Sequence, residues 1–317
     1  MMDGSTQLEA RDDALIADAL TGLRADAKTL SPKWLYDHRG SALFEEITRL
    51  PEYYPTRTEA GILRDNATAL ARLVPPGGAL IELGSGASIK TRTLLDAGNH
   101  IGAYGPIDIS RDFLFETADG LRNAYPAIDI VPVVADFTAP VTLPDRLAAL
   151  PKVAFFPGST IGNLTPARAH ALLSGIRAWP GIKAFILGAD MVKDTRTLVA
   201  AYDDAQGVTA KFIGNILIRL NREADADFDP AGFDHKATWN AARARIDMHL
   251  LSNRDQHVTL DGHVIEFAKG EPIHVSAARK FTVDSLVALA ADAGWDVRQR
   301  HVDDGARFSV AVLTPVR

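Results

Sequence analysis

The chain contains no cysteine, which excludes disulfide frameworks, thiolate nucleophiles and cysteine-based zinc sites. It carries little excess charge of either sign: 34 Lys and Arg stand against 40 Asp and Glu, a net −6 spread through the sequence. Neither nucleic acid nor an anionic membrane is therefore expected as a partner. No run of about 18 apolar residues is present to span a bilayer. Residues 1–10 lack the basic start and apolar core of a secretory signal, so a cytoplasmic location is the expectation. His-Glu-x-x-His is also missing, and His170, His235, His249, His257 and His263 stand singly, reading as surface or structural residues; no metal is expected. What is present is 317 residues, 47% hydrophobic and 23% charged. That balance suits a globular protein of two lobes, or of one domain carrying an insertion.

Two textures alternate along the chain. Leu15, Ala19 and Leu23 recur at i, i+4 spacing and predict a helix over 15–28; another is expected over 41–50, ended by Pro51. Tyr36, Phe44, Tyr53 and Tyr54 lie close together in sequence, either lining a concave surface or packing as a satellite of the core. From about 59 helix and strand alternate, with strands expected over 79–83, 103–107, 130–134, 153–156 and 184–187 and helices over 91–97, 111–125 and 166–178. This is the pattern of a parallel sheet covered on both faces, a doubly wound α/β arrangement. A helix over 190–204 leads into 207–280, where an acidic loop at 223–234 and alternating segments at 246–250 and 263–267 predict antiparallel strands. A helix over 283–293 and strands over 295–301 and 307–314 then return to the first sheet. The domains expected are 59–195 plus 282–317, and, as a second α+β lobe, 9–58 plus 196–281.

The sharpest local feature is Ile81-Glu82-Leu83-Gly84-Ser85-Gly86-Ala87-Ser88, a strand emptying into a glycine turn ahead of a helix. Gly84 and Gly86 can adopt positive φ and bring backbone amides close to a ligand. A dinucleotide fingerprint needs a third glycine, but Ile89 stands at that position, which disfavours a nicotinamide oxidoreductase and favours a nucleoside without pyrophosphate. Asp108 ends the second strand, where a carboxylate can accept both ribose hydroxyl protons. Asp136 and Phe137 end the third, suited to an adenine amino group and ring face. Open α/β sheets bind ligands at these carboxyl ends, and the set predicts S-adenosylmethionine. Singly, Asp108 or Asp136 could be a helix N-cap and Lys90 a solvated lysine.

Several longer runs resemble the histidine Nα-methyltransferases of ergothioneine biosynthesis. They are Pro32-Lys33-Trp34-Leu35-Tyr36-Asp37, Leu50-Pro51-Glu52-Tyr53-Tyr54-Pro55-Thr56-Arg57, Glu82-Leu83-Gly84-Ser85-Gly86, Gly158-Ser159-Thr160-Ile161-Gly162-Asn163-Leu164 and Ala201-Tyr202-Asp203-Asp204. The likeness covers nearly the whole chain. It implies a class I methyltransferase lobe with a Rossmann-like doubly wound sheet, a second α+β substrate lobe, and an amino acid held between them. It also implies that Gly84, Gly86, Lys90, Asp108, Asp136 and Phe137 contact S-adenosylmethionine, with Tyr36 close to the transfer centre. Asn163 and Tyr202 would hold the substrate carboxylate, Tyr53 would flank the side chain, and Met248 would belong to the substrate site. Asn163 could otherwise cap the helix near Thr165, and Tyr202 could be a packing residue.

The chain departs from that family at Ile273-His274-Val275-Ser276-Ala277-Ala278-Arg279-Lys280-Phe281. Histidine-reading members carry Thr-Glu-x-Ser here, the glutamate and serine binding the imidazole; Ser276 and Ala278 stand at those two positions. On a strand Ser276, Ala278 and Lys280 share one face, and Arg279 points to the other. The expected substrate is thus another amino acid, aromatic ones included, or histidine bound weakly.

Transfer from a sulfonium is an in-line displacement that needs a neutral amine held close to the methyl carbon. Tyr36, or a water beside it, is the expected proton acceptor, and the family resemblance implies repeated methylation to a betaine. Alternatives are a methyltransferase for a larger aromatic amine and a non-catalytic cofactor-binding protein. A monomer whose one partner is a small amino acid is expected.

Overall fold

A computed structural model describes residues 11–316. In chain order the strands are β1 (Ala79–Leu83), β2 (Ala103–Asp108), β3 (Asp129–Ile130), β4 (Val133–Val134), β5 (Lys152–Phe156), β6 (Ile182–Asp190), β7 (Phe233–Asn240), β8 (Arg245–Ser252), β9 (Gln256–Leu260), β10 (His263–Phe267), β11 (Pro272–Arg279), β12 (Trp295–Val302) and β13 (Phe308–Pro315). The helices are α1 (Asp13–Leu23), α2 (His38–Arg49), α3 (Tyr54–Asp65), α4 (Ala67–Ala71), α5 (Ile89–Ala97), α6 (Arg111–Ala124), α7 (Asp145–Ala148), α8 (Pro166–Arg177), α9 (Thr195–Ala200), α10 (Val208–Glu223) and α11 (Val283–Asp292). The chain divides into two units, Met1–Tyr54 with Asp194–Ala278, and Pro55–Lys193 with Arg279–Arg317.

The second of these carries one large sheet in the order β12-β13-β6-β5-β1-β2-β3, with β4 also paired to β2. β1, β2, β5 and β6 run parallel, whereas β13 is antiparallel to both β6 and β12. Leu80, Val153, Phe155 and Ile186 pack on one face with Leu63, Leu94 and Leu121 of α3, α5 and α6. The alternate residues Ala154, Phe156, Phe185 and Leu187 pack on the other with Leu172, Leu173 and Leu286 of α8 and α11. Side chains alternating across a buried strand demand helices on both sides, and that is the doubly wound architecture.

The other unit holds a three-stranded antiparallel sheet, β11-β8-β7, and a β9–β10 hairpin. The hairpin turns at Asp261 (φ 48°) and Gly262 (φ 76°), the paired positive dihedrals of a two-residue loop matched to strand twist. Ile246, Met248, Leu250, Ile273 and Val275 share a core with Phe212, Ile216 and Leu220 of α10 and with Leu15, Leu23 and Leu43 of α1 and α2.

Four sequence expectations are corrected. The strand over 130–134 is broken into β3 and β4 by Pro132, which has no N–H to give to the ladder. The helix over 190–204 is largely absent. β6 extends to Asp190 through its pairing with Phe308, and only Thr195–Ala200 is helical, capped by Asp194, which accepts from Thr197 N at 2.8 Å. The helix over 15–28 stops at Leu23, because residues 28–30 run beside β11, with Leu30 N donating to His274 O and His274 N to Lys28 O, both at 2.9 Å. The region 207–280 also contains α10, sixteen residues long, where strands alone were read. Its apolar Val208, Phe212, Ile216 and Leu220 recur every fourth residue, and the Asp204 carboxylate accepts from Val208 N and Thr209 N at its start.

Candidate active site

β1 delivers the chain into a turn in which Gly84 (φ 64°), Gly86 (φ 48°) and Ser88 (φ 51°) are all left-handed. Gly84 N and Ser85 N both donate to Ile107 O, at 2.8 and 3.1 Å, tying the turn to the end of β2. Asp108 follows. Its Oδ2 accepts from Gly86 N at 3.0 Å and its Oδ1 from Ser110 N at 2.9 Å, so one carboxylate braces the glycine turn and the approach to α6 together. A methyl group on Gly84 would lie 3.2 Å from Cε1 of Phe137, so glycine here lets the ring close over the turn. Phe137 is held edge-on by Phe156 at 5.2 Å, and the neighbouring Asp136 accepts from Thr138 N (2.8 Å) and Oγ1 (2.7 Å). Gly84, Gly86, Asp108, Asp136 and Phe137 are thus brought together at the carboxyl ends of β1, β2 and β4.

Two buried carboxyls in this region escaped the sequence reading. Glu82, in β1, accepts hydrogen bonds from Thr91 Oγ1 and Tyr104 Oη, and Ser88 Oγ lies 3.0 Å from Tyr104 Oη. Burial pushes the Glu82 carboxyl up to about 7, against the hydrogen bonds from Thr91 and Tyr104 and the charge of Lys90, which favour ionisation. Glu59 of α3 pairs with Lys90 in the first turn of α5, and its two oxygens accept from Gly158 N at 2.9 and 2.8 Å. Lys90 is therefore a member of a pair, with its side chain only 18% exposed. A carboxyl on a helix face that also carries Ile62 and Leu63 was the available sign: Glu59 falls at i−3 and i−4 from two buried residues.

After β5, Gly158 (φ 80°) and Ser159 (φ 55°) turn the chain into a short 3-10 segment, Thr160–Asn163. Ser159 Oγ accepts from Asp190 N at 2.9 Å. Asn163 is exposed. It does not cap α8; the cap is Thr165, whose side chain accepts from Arg168 N. At the end of β6, Asp190 is fully buried between Lys193 (2.5 Å) and Lys280 (2.6 Å).

In the other unit, Tyr36 packs edge-on against Phe44 (5.8 Å) and Phe212 (5.5 Å), Phe44 against Tyr53 (6.2 Å), and Tyr53 against Tyr202 (5.9 Å). The aromatic group seen in the sequence is thus continuous, with Phe212 of α10 added to it. Tyr36 is 36% exposed, whereas Tyr53 is buried. Its neighbour Asp37 is partly buried, which works against ionisation. Hydrogen bonds from Arg222, Gly40 N and Asn215 nevertheless hold that carboxyl below its ordinary value. Met248 lies in the core, and Ser276 and Ala278 are buried on β11, with Ala277 and Arg279 between and beyond them less so.

His249 does not stand singly. Its ring is 5.1 Å from that of His274, whose Nε2 lies 2.9 Å from Asp247 Oδ1, because β8 and β11 are neighbours. Burial and the adjacent His274 lower the His249 pKa. Among the described residues no group of three or more His, Asp or Glu is placed to hold a metal ion, and no helix is long and apolar enough to cross a membrane.

The glycine turn, the strand-end carboxylates and the ring over the turn fit a nucleoside bearing an amino-acid tail: carboxylates for hydroxyl and amino donors, and Lys90 for an anionic end. Residues 15–315 match the family described as "Histidine-specific methyltransferase, SAM-dependent". The chain is an S-adenosylmethionine-dependent methyltransferase. It is 45% identical over 302 residues to the histidine N-alpha-methyltransferase of Mycolicibacterium smegmatis, covering 91% of this chain and 90% of that one. Against the Mycobacterium tuberculosis protein of the same name it is 41% identical over 311 residues, 94% of each. The N-methyltransferase imqF of Aspergillus flavus is 25% identical over 311 residues, 94% of this chain and 84% of its own. The chain belongs to the histidine-specific methyltransferase family.

Proposed function

We propose that this N-methyltransferase acts on the α-amino group of a free amino acid whose side chain is not read as histidine is. Bound S-adenosylmethionine supplies an electrophilic methyl carbon. The unit holding the large sheet is the cofactor unit in this reading, and the unit holding the three-stranded sheet carries the residues assigned to the substrate side chain. Each Asp108 oxygen accepts one backbone N–H, leaving lone-pair capacity for ribose hydroxyls, and Asp136 has the same capacity toward an exocyclic amine. Phe137 offers its ring to the base. Lys90 is the cation for the carboxylate of the cofactor's tail. Asn163 and Tyr202 are assigned to the substrate carboxylate, Tyr53 and Met248 to its side chain, and Tyr36 to the proton that the α-ammonium must lose before its lone pair can attack.

The observation that carries the substrate reading is the pair Ser276 and Ala278, both buried on β11 at the positions where the resemblance requires a glutamate and a serine. A hydrogen bond to a charged group contributes about 1.5–3 kcal/mol, and its loss weakens binding about 10- to 150-fold. Carboxylate capture involves other residues and is untouched by this change. Calorimetric titration of the protein with histidine and with a panel of other amino acids tests the reading. The expected result is weak binding of histidine and tighter binding of another amino acid, aromatic ones first; submicromolar histidine affinity refutes it.

A further inference from the structure

We infer that Glu59 is a positioning residue through which one buried carboxylate sets both the cation of the cofactor site and the turn that presents Asn163. The inference rests on the assignment of Lys90 to the cofactor and Asn163 to the substrate carboxylate. Glu59 is 0% exposed, yet lies on none of the strand ends that line the cofactor site. Its carboxylate meets Lys90 on one side and Gly158 N on the other, and a methyl group on Gly158 would lie 3.6 Å from Lys90 Nζ, so the three groups converge on one point.

The fold makes room for this carboxylate. A methyl group on Gly188 of β6 would stand 2.1 Å from Glu59 Oε1, a distance no side chain tolerates, so glycine at 188 is what admits the carboxylate. The turn it holds needs holding: Ser159 sits at φ 55° without being glycine, a conformation that costs free energy and persists only where its surroundings impose it. Two hydrogen bonds impose it, Gly158 N to Glu59 and Asp190 N to Ser159 Oγ. Gly162, one residue before Asn163, backs onto the Arg279 backbone, where an added methyl would meet Arg279 O at 2.5 Å. The 3-10 segment carrying Asn163 is thereby clamped at both ends.

The two roles differ in sign, and this separates positioning from a general structural contribution. Glu59→Gln keeps an acceptor for Gly158 N but removes the negative charge. Lys90 loses its neutralising partner and becomes a stronger attractor for the anionic end of the cofactor, while the turn exchanges a charge-assisted hydrogen bond for a neutral one. The Glu59→Gln enzyme is expected to show KM for the amino acid raised about five- to ten-fold, the loss of about 1 kcal/mol of hydrogen bonding. KM for S-adenosylmethionine should be unchanged or lower. Gly188→Ala, which pushes the carboxylate off Gly158 without altering its charge, is expected to raise the amino-acid KM as well. Asn163→Ala is measured beside them. If it weakens amino-acid binding and the two other variants do not, Glu59 is not a positioning residue and the site assignment stands. If Asn163→Ala leaves amino-acid binding intact, the assignment fails and the inference falls with it. Equal loss of both affinities, or loss of the fold in both Glu59→Gln and Gly188→Ala, makes Glu59 a purely structural residue and overturns the inference.

Discussion

Glu82→Gln probes the carboxyl that lies under the glycine turn. In the folded protein burial raises this group from an ordinary 4.5 to about 7, partly offset by hydrogen bonds from Thr91 and Tyr104 and by the charge of Lys90. The folded state therefore holds the proton more tightly than the unfolded chain does. As pH rises above 4.5 the unfolded chain releases its proton first, so stability falls with rising pH until the folded group also ionises near 7, and the loss is constant above that. Integrated between about pH 5 and pH 8, the shift is worth about 2–3 kcal/mol. Glutamine occupies the same volume and still accepts from Thr91 and Tyr104, but it cannot ionise. Denaturant unfolding of both proteins across that pH range measures the difference in stability, in which contributions from other titrating groups cancel. The variant should gain on the parent by about 2–3 kcal/mol from the acid end to the alkaline end. A difference that stays flat, or moves the other way, refutes the argument that Glu82 is a neutral buried acid in the folded protein.

Asn163→Ala should weaken amino-acid binding in calorimetry while cofactor affinity stays near that of the parent, since the side chain is exposed and caps no helix; equal loss of both contradicts the assignment. Trp295→Ala should cost about 3–5 kcal/mol in denaturant unfolding, because the indole is 1% exposed, packs edge-on against Phe185 at 5.7 Å and donates to Leu173 O at 2.9 Å. A loss under about 1 kcal/mol would mean that the core between α8 and the sheet closes without it.

What the sequence disclosed of the fold was local. The four parallel-strand segments at 79–83, 103–107, 153–156 and 184–187 and the glycine turn depend on short-range patterning: β-rich runs, and glycines where φ must be positive. The strand over 130–134 went wrong where the pattern was read through Pro132 as though every residue could donate to the ladder. α10 was hidden because the acidic loop and alternating strands that follow it dominate the pattern of 207–280, although its own apolar residues keep helical spacing. The site divides in the same way. Asp108 and Asp136 are visible as strand-end carboxylates. Glu59 meets Lys90 across 31 residues of sequence and Gly158 across 99, and no spacing rule brings such partners together. His274 and His249 likewise become neighbours only through the pairing of β8 with β11.

In the proposed reaction, methyl groups pass from S-adenosylmethionine to the α-amine of a free amino acid. Incubating the protein with a mixture of the common amino acids and isotopically methyl-labelled S-adenosylmethionine, followed by mass spectrometry with fragmentation, tests it directly. One amino acid should acquire between one and three labelled methyl groups, all on its α-nitrogen. Label on a side chain, or no labelled amino acid while the cofactor binds, would contradict it.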